Sequence, residues 1–456
     1  MTTAGAQTVQ SQKAMKTQLG SIDELLLRLA ESRAVTDALF QLVRADSLYD
    51  RPVPERHRIV FYVGHLEAFD WNLIAGHALG LGPCHQEFDR LFAFGIDPVG
   101  GGLPTDQPAD WPRLTEVAAY NRRVREELDR LLGNSASPSS HWKYPREVIL
   151  NVAIEHRLMH AETLAYMLHQ LPTERKLAPP EYQALAPSGV SPSSHPKMLE
   201  IPAGMATLGI SPEDESFGWD NEFKAQSIDV PAFAIDACKV TNGEYLNFVR
   251  AGGYEHPRFW SEADWTWIRE QKIRHPQFWF ESQGEWFYQG MFEAVPLPLD
   301  WPVYVSHAEA SAYACFVAKC LPTEAQFHRA AYGTPQGLER PYPWGDAPPD
   351  ESRGNFDFQR WDPVAVGSYP AGRSAFGLED ALGNGWEWTS TVFAPFAGFE
   401  PFPFYSGYSA NFFDGKHYVM KGASPRTVAC MLRRSFRNWF QPHYPYVYAS
   451  FRCVSK

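Results

Sequence analysis

The sequence predicts a multidomain α and α+β protein: a four-helix bundle over residues 1–190, then an α+β domain over 191–456. Three observations carry this. The first part keeps apolar residues at helical spacing over long stretches. A stretch rich in Pro, Ser and Ala without periodicity, Leu177 to Pro196, reads as a linker. Beyond Met198 the chain turns to Trp, Phe, Tyr, Gly and Pro with short apolar runs between turns, the pattern of a sheet-containing domain with much irregular structure.

In the bundle, Ser21-Ile22-Asp23-Glu24 resembles a capping box opening a first helix along Leu25, Leu26, Leu29, Val35, Leu39, Leu42 and Val43. A second, amphipathic helix is expected to carry His65. Val117, Tyr120, Val124, Leu128 and Leu131 mark the stripe of a third, near 117–132, and a fourth runs from about Pro145 to Leu171. Between the second and third lies the Gly/Pro segment Phe94 to Pro108, and a loop of that kind inside a domain is more often functional than a spacer. In the second domain, strands are expected at Met198–Pro202 and Phe233–Asp236 and helices at Thr241–Ala251 and His307–Lys319.

The chain has 456 residues, 44% hydrophobic and 21% charged, ordinary for a globular protein with a sizeable core. A net charge of −12 without a long basic run argues against nucleic acid as a partner. The six cysteines have no paired CxxC spacing and read as reduced thiols. Residues Met1 to Gly20 lack the apolar core of a signal peptide, and no run of about 18 apolar residues occurs, so no membrane partner and a cytoplasmic location are expected.

The chemistry is concentrated in Ile154-Glu155-His156-Arg157-Leu158-Met159-His160-Ala161-Glu162. Histidines four apart on a helix project from one face and can share an ion. Glu162, two residues past His160, is turned roughly 200° away, so it is expected to brace the site from outside the ligand set. His65 is the best candidate for a third ligand. Three imidazoles with open positions suit catalysis better than a closed structural site. A His pair alone is also what an ordinary packed helix can carry.

The segment Phe376 to Thr389, with Gly383-Asn384-Gly385-Trp386-Glu387-Trp388 at its centre, follows Tyr342-Pro343-Trp344-Gly345-Asp346 and precedes Ser450-Phe451-Arg452-Cys453-Val454. In this order the pieces resemble the formylglycine-generating-enzyme type of C-type-lectin-like fold. The His-x3-His-x-Glu stretch with its upstream Gly64-His65 resembles the DinB-like helical bundle. Together the two resemble the EgtB/OvoA-type non-heme iron sulfoxide synthases of ergothioneine and ovothiol biosynthesis over almost the whole chain. The resemblance implies Fe(II) on His65, His156 and His160, with O2, hercynine and a chalcogen donor as small-molecule partners. Asn438 and Trp439, in Arg437-Asn438-Trp439, match the segment that helps hold hercynine, and an indole face attracts a quaternary ammonium. Trp439 would also suit a core. Tyr405 and Tyr408 lie where the family carries a proton-delivering tyrosine, and the resemblance does not choose between them. It also leaves open a calcium ion near Asn384.

The departures bear on the donor. Enzymes of this family that use γ-glutamylcysteine carry an arginine pair in the loop after the second helix and an aspartate directly after Asn-Trp. Here the loop reads Val99-Gly100-Gly101-Gly102-Leu103-Pro104-Thr105-Asp106, and Phe440 follows Trp439. Loss of bidentate Arg contacts implies a donor without those carboxylates. Met159 stands where a glutamine commonly precedes the second helical His. Gly101, Thr105, Asp106, Gln107 and Phe440 are therefore the expected donor-pocket residues, and the pattern looks like the selenoneine synthase (SenA) branch, which joins hercynine to a selenosugar. Alternatives are an ergothioneine-type sulfoxide synthase using cysteine or γ-glutamylcysteine, and a DinB-type metal-dependent thiol transferase. A formylglycine-generating oxidase would need a reactive cysteine pair, for which Cys430 and Cys453 are wrongly spaced.

Overall fold

Helix α1, Ile22–Gln41, begins where the sequence signals it: Ser21 Oγ accepts the Glu24 N–H at 3.3 Å and the Glu24 carboxylate accepts the Ser21 N–H at 2.8 Å. The structure, a computed structural model, describes residues 19–93, 103–133, 142–180, 182–183, 198–214 and 216–455. Chain contacts divide it into two compact units, Thr17–Tyr182 and Gln183–Lys456. The expected boundary at 190/191 lies outside the described residues, as does the segment 94–102 with Gly101.

In the helical unit, α2 spans Ile59–Asp70 and continues into a π-helical stretch, Trp71–Ala78. A short helix α3, Gln86–Leu91, is followed by α4, Leu114–Gly133, and α5, Arg146–His169. Helix α1 packs along α5, and α2 packs against α4 and α5. Helix α4 buries Val117, Tyr120, Val124, Leu128 and, one turn on, Leu132 rather than the expected Leu131. The amphipathic character expected of the His65 helix is not found. Nearly all of α2 is buried, including His65, Glu67 and Asp70, because the charges on its inner side find partners within the protein. Helix α5 is buried in the same way from Ile149 to Leu158.

In the second unit, β1 (Met198–Ile201) and β12 (Val454–Ser455) pair antiparallel with β4 (Phe233–Asp236), so the two ends of the unit flank one strand. Strands β2 (Gly204–Leu208) and β3 (Gln226–Val230) form a hairpin, and β5 (Trp279–Ser282), β6 (Glu285–Gln289) and β7 (Ala294–Pro296) a meander. The largest sheet runs β10 (Asn438–Phe440), β9 (Tyr418–Ala423), β8 (Gly385–Val392), β11 (Ala449–Ser450). Helices α6 (Asn242–Arg250) and α8 (His307–Phe316) fall where expected. Helices α7 (Glu262–Glu270) and α9 (Glu324–Tyr332) were not expected.

The distinctive Gly-Asn-Gly-Trp-Glu-Trp motif is architecture. Gly383 sits at φ +89°, and a Cβ there would meet the Asn355 backbone at 2.7 Å. The Glu387 carboxylate, fully buried, accepts from Lys239 Nζ at 2.6 Å and from Arg452 Nε and Nη2 at 2.6 and 2.7 Å, joining β8 to both ends of the unit. Trp388 Nε1 donates to the Val305 carbonyl at 2.8 Å. Asn384 Oδ1 accepts the Val364 N–H and its Nδ2 donates to the Val364 carbonyl, both at 2.9 Å. Among the described residues no helix is long and apolar enough to cross a membrane.

Candidate metal centre

Helix α2 supplies His65, and successive turns of α5 supply His156 and His160. The three are buried, and one ring nitrogen from each lies within 4.8 Å of the others. The Nε2 atoms of His65 and His156 each stand 3.2 Å from His160 Nε2. Two nitrogens about 2.1 Å from one ion at tetrahedral or octahedral angles are about 3.0–3.4 Å apart, so the spacing fits a shared metal.

The orientation of His65 is fixed by its other nitrogen. Nδ1 lies 2.6 Å from the Phe92 carbonyl, an acceptor, so Nδ1 carries the hydrogen and Nε2 keeps its lone pair for a metal. Aromatic rings cover the imidazoles: Phe61 stacks on His65 at 4.8 Å and Phe69 on His156 at 3.4 Å. Burial pushes the His65 imidazole down to about 4, with the Phe92 carbonyl opposing. Burial and then the neighbouring imidazoles hold His156 and His160 well below the usual range. All three are neutral near pH 7, the protonation state a metal ligand needs.

Behind the histidines lies an ion network that the sequence reading missed. The buried Arg157 donates to Glu67 at 3.1 and 3.0 Å and to Asp70 at 2.6 Å. Arg125 of α4 adds bonds to Glu67 at 2.7 Å and to Asp37 of α1 at 2.7 Å. Against the burial that would raise it, the Arg157 and Arg125 guanidiniums hold Glu67 below the usual carboxylate range, whereas burial raises Asp70. Arg157 follows His156 and Glu67 is two residues from His65, so the network locks the two helices that carry the histidines in register. One signal was available: Glu67 and Asp70 interrupt an otherwise apolar helix, and a charge in such a place needs a partner.

Met159 and Glu162 are half-buried on α5, and the Glu162 carboxylate is not part of the three-histidine group. Asp106 is engaged by Arg51, by Arg58 Nε at 3.0 Å and by Trp111 Nε1 at 2.7 Å, while Thr105 and Gln107 are exposed. Trp111 in turn packs against Phe61 and Phe92 of the histidine shell.

In the second unit, Trp439 stacks on Phe393 at 4.1 Å and meets the edge of Tyr408 at 5.4 Å. Asn438 Oδ1 accepts the Trp439 N–H at 2.9 Å, and Arg437 is held by Glu324 at 3.0 Å. Tyr408 is buried under Trp219, whereas Tyr405 is half-buried. Phe440 stacks on Tyr444 at 5.2 Å.

A family model described as the sulfatase-modifying factor enzyme 1-like domain matches residues 184–456. A hercynine oxygenase of Mycolicibacterium thermoresistibile is 38% identical over 404 residues, covering 86% of this chain and 85% of that protein. The chain belongs to the EgtB/OvoA-type hercynine oxygenase family. A hercynine oxygenase of Mycobacterium tuberculosis, another relative, is 39% identical over 247 residues, covering 54% of this chain and 57% of that protein. The ergothioneine biosynthesis protein 1 of Neurospora crassa is 29% identical over 500 residues, which is 91% of this chain and 55% of that longer protein. The family match spans nearly all of the second unit, and the Mycolicibacterium thermoresistibile alignment takes in much of the helical unit as well.

Proposed function

We propose that the protein is an iron- and dioxygen-dependent oxidoreductase that forms a carbon–selenium bond between the imidazole of hercynine and a selenosugar. Hercynine as the acceptor is supported by the relatives named for it. The observation that carries the metal assignment is the convergence of three neutral, buried imidazoles, with His65 Nε2 and His156 Nε2 each 3.2 Å from His160 Nε2. Bound there, iron(II) supplies open coordination positions and the redox chemistry that zinc lacks. His65, held by the Phe92 carbonyl, keeps its ligand lone pair aimed.

Trp439 offers part of an indole face to the trimethylammonium of hercynine, a contact worth about 0.5–2 kcal/mol. With Asn438 Oδ1 taken by the Trp439 N–H, Asn438 Nδ2 is left to donate to the hercynine carboxylate. Met159, half-buried beside His160, leaves the imidazole edge without an amide partner from that position. Of the two tyrosines, we assign proton exchange with substrate to Tyr405, supported by its being half-buried where Tyr408 is covered by Trp219.

The donor assignment rests on charge. The residues after α3 carry no arginine pair, Phe440 replaces an acid, and Arg51 and Arg58 already have Asp106 as counterion. A donor carboxylate brought into such surroundings without a partner costs several kcal/mol. A sulfur reading, with cysteine or γ-glutamylcysteine as donor, is favoured by the Neurospora crassa relative named for ergothioneine biosynthesis. The deciding experiment offers selenosugar, cysteine and γ-glutamylcysteine in competition to the iron(II)-loaded protein with hercynine in air, and weighs the products. The selenosugar is expected to give the largest kcat/KM. A larger value for either thiol overturns the selenium assignment, and no consumption of hercynine with any donor overturns the reading as a whole.

A further inference from the structure

The turn Trp219-Asp220-Asn221-Glu222 is buried throughout, although three of its four side chains are polar. It closes on itself, with Glu222 Oε1 accepting the Trp219 N–H at 2.9 Å. Outward it makes two sets of contacts. Toward the tyrosine segment, Asp220 Oδ1 accepts the Ser409 hydroxyl at 2.5 Å, and the Phe402 backbone also bonds to the carboxyl. The Trp219 ring stacks on Tyr408 at 3.9 Å and meets Tyr405 edge-on at 6.4 Å. Toward β10, Glu222 accepts from Arg433 Nε at 2.8 Å and from the Ser435 hydroxyl at 2.6 Å, and the Asn221 carbonyl accepts from Arg437 Nη1 at 3.4 Å. Arg437 leads directly into Asn438 and Trp439.

We propose that Asp220 is a positioning residue that, through Ser409 and with the Trp219 ring, fixes the Tyr405–Tyr408 segment against Trp439. The proposal deepens the hercynine reading and rests on it. The groups assigned to substrate lie on the irregular segment around Tyr405 and on strand β10, and the 219–222 turn bonds to that segment and to the residues that lead into the strand. A reacting group displaced by about 1 Å loses on the order of a hundredfold in rate. The Asp220–Ser409 bond is the tie of that turn to the segment next to Tyr408.

The test uses the full chain loaded with iron(II). Asp220→Ala and Ser409→Ala are expected to lower kcat for hercynine about ten- to a hundredfold, with the iron content unchanged. Asp220→Asn, whose amide oxygen can still accept the Ser409 hydroxyl, is expected to recover most of the rate, which a generally disrupted fold would not allow. Near-ultraviolet circular dichroism reads the Trp219–Tyr408 stack without any substrate, and its signal is expected to fall in Asp220→Ala and return in Asp220→Asn. Ser409→Ala removes a single oxygen and keeps the test open should Asp220→Ala fold poorly. Unaltered kcat and dichroism in Ser409→Ala and Asp220→Asn together with Asp220→Ala overturn the proposal. Failure of the unaltered chain to consume hercynine instead overturns the substrate reading, and the dichroism then still decides whether Asp220 holds the segment.

Discussion

Gly64 is the residue whose smallness the packing beside the three histidines depends on. A Cβ at that position would meet three atoms of the Phe92 ring at 2.5–2.6 Å, so any larger residue must displace Phe92, whose carbonyl orients His65. Gly64→Ala is expected to weaken metal binding about 10- to 100-fold, the usual cost of losing a ligand's orienting partner. His65→Ala, His156→Ala and His160→Ala should each abolish retention, and His169→Ala, roughly half a turn around α5, should leave it intact. Metal analysis after dialysis checks the series, and full retention in Gly64→Ala would show the carbonyl to be dispensable. The pH response has a definite sign. An ordinary histidine titrates near 6.5, and His65 is held at about 4 when folded. Above about 6.5 both states are neutral and stability is full. Between about 6.5 and 4 the unfolded chain takes up protons that the folded site refuses, so stability and metal retention should fall together. Thermal midpoints and bound metal from pH 7.5 to 4.5 check this, and a flat profile over that window would contradict it. The His156–His160 pair was legible because helical spacing is written locally, and the structure brings His65 of another helix to it. Phe92, whose part is played by a backbone carbonyl, was not, because no side-chain pattern marks it.

Helices α2 and α5 are held by charge as well as by packing. Arg157 neutralises two buried carboxylates, and Arg157→Ala would leave Glu67 to Arg125 and would break the ion pair of Asp70. The expected loss is about 3–5 kcal/mol, the usual cost of breaking a buried pair. Urea unfolding followed by circular dichroism measures it, and a loss below about 1 kcal/mol would mean that water reaches the carboxylates. At this scale the sequence was readable wherever a cap or stripe was complete. Helix α9 was overlooked although Thr323 and Gln326 form a capping box in which Thr323 Oγ1 accepts the Gln326 N–H at 3.1 Å. Helix α7 has Ser261 and Asp264 at the matching positions. Both helices are short and lie among aromatic residues, so their apolar spacing is hard to tell from the surrounding irregular chain. The π-helical stretch after α2 had no sequence cue, since its bonding depends on neighbours rather than on residue type.

The sequence made the fold class of both units legible, with the strands at Met198 and Phe233 marked by short apolar runs between turns. What it could not convey is why the distinctive motif is distinctive. Trp386, Glu387 and Trp388 are buried, and their partners Lys239, Val305 and Arg452 lie far away in the chain. The 219–222 turn was missed for the same reason: its partners are about 190 and 210 residues downstream and no local pattern announces them.

Because Glu387 bonds both Lys239 and Arg452, and β4 pairs with both β1 and β12, these contacts of the second unit are complete only after Arg452 and β12 have left the ribosome. A chain made at about 5–20 residues per second exposes the aromatic-rich stretch from Met198 onward for many seconds before Arg452 arrives. The helical unit, Thr17–Tyr182, is synthesised in full before the second unit begins. Biosynthesis of this protein is therefore staggered, with the histidine-bearing helical unit able to mature while the other unit still lacks the arginine that neutralises its central carboxylate.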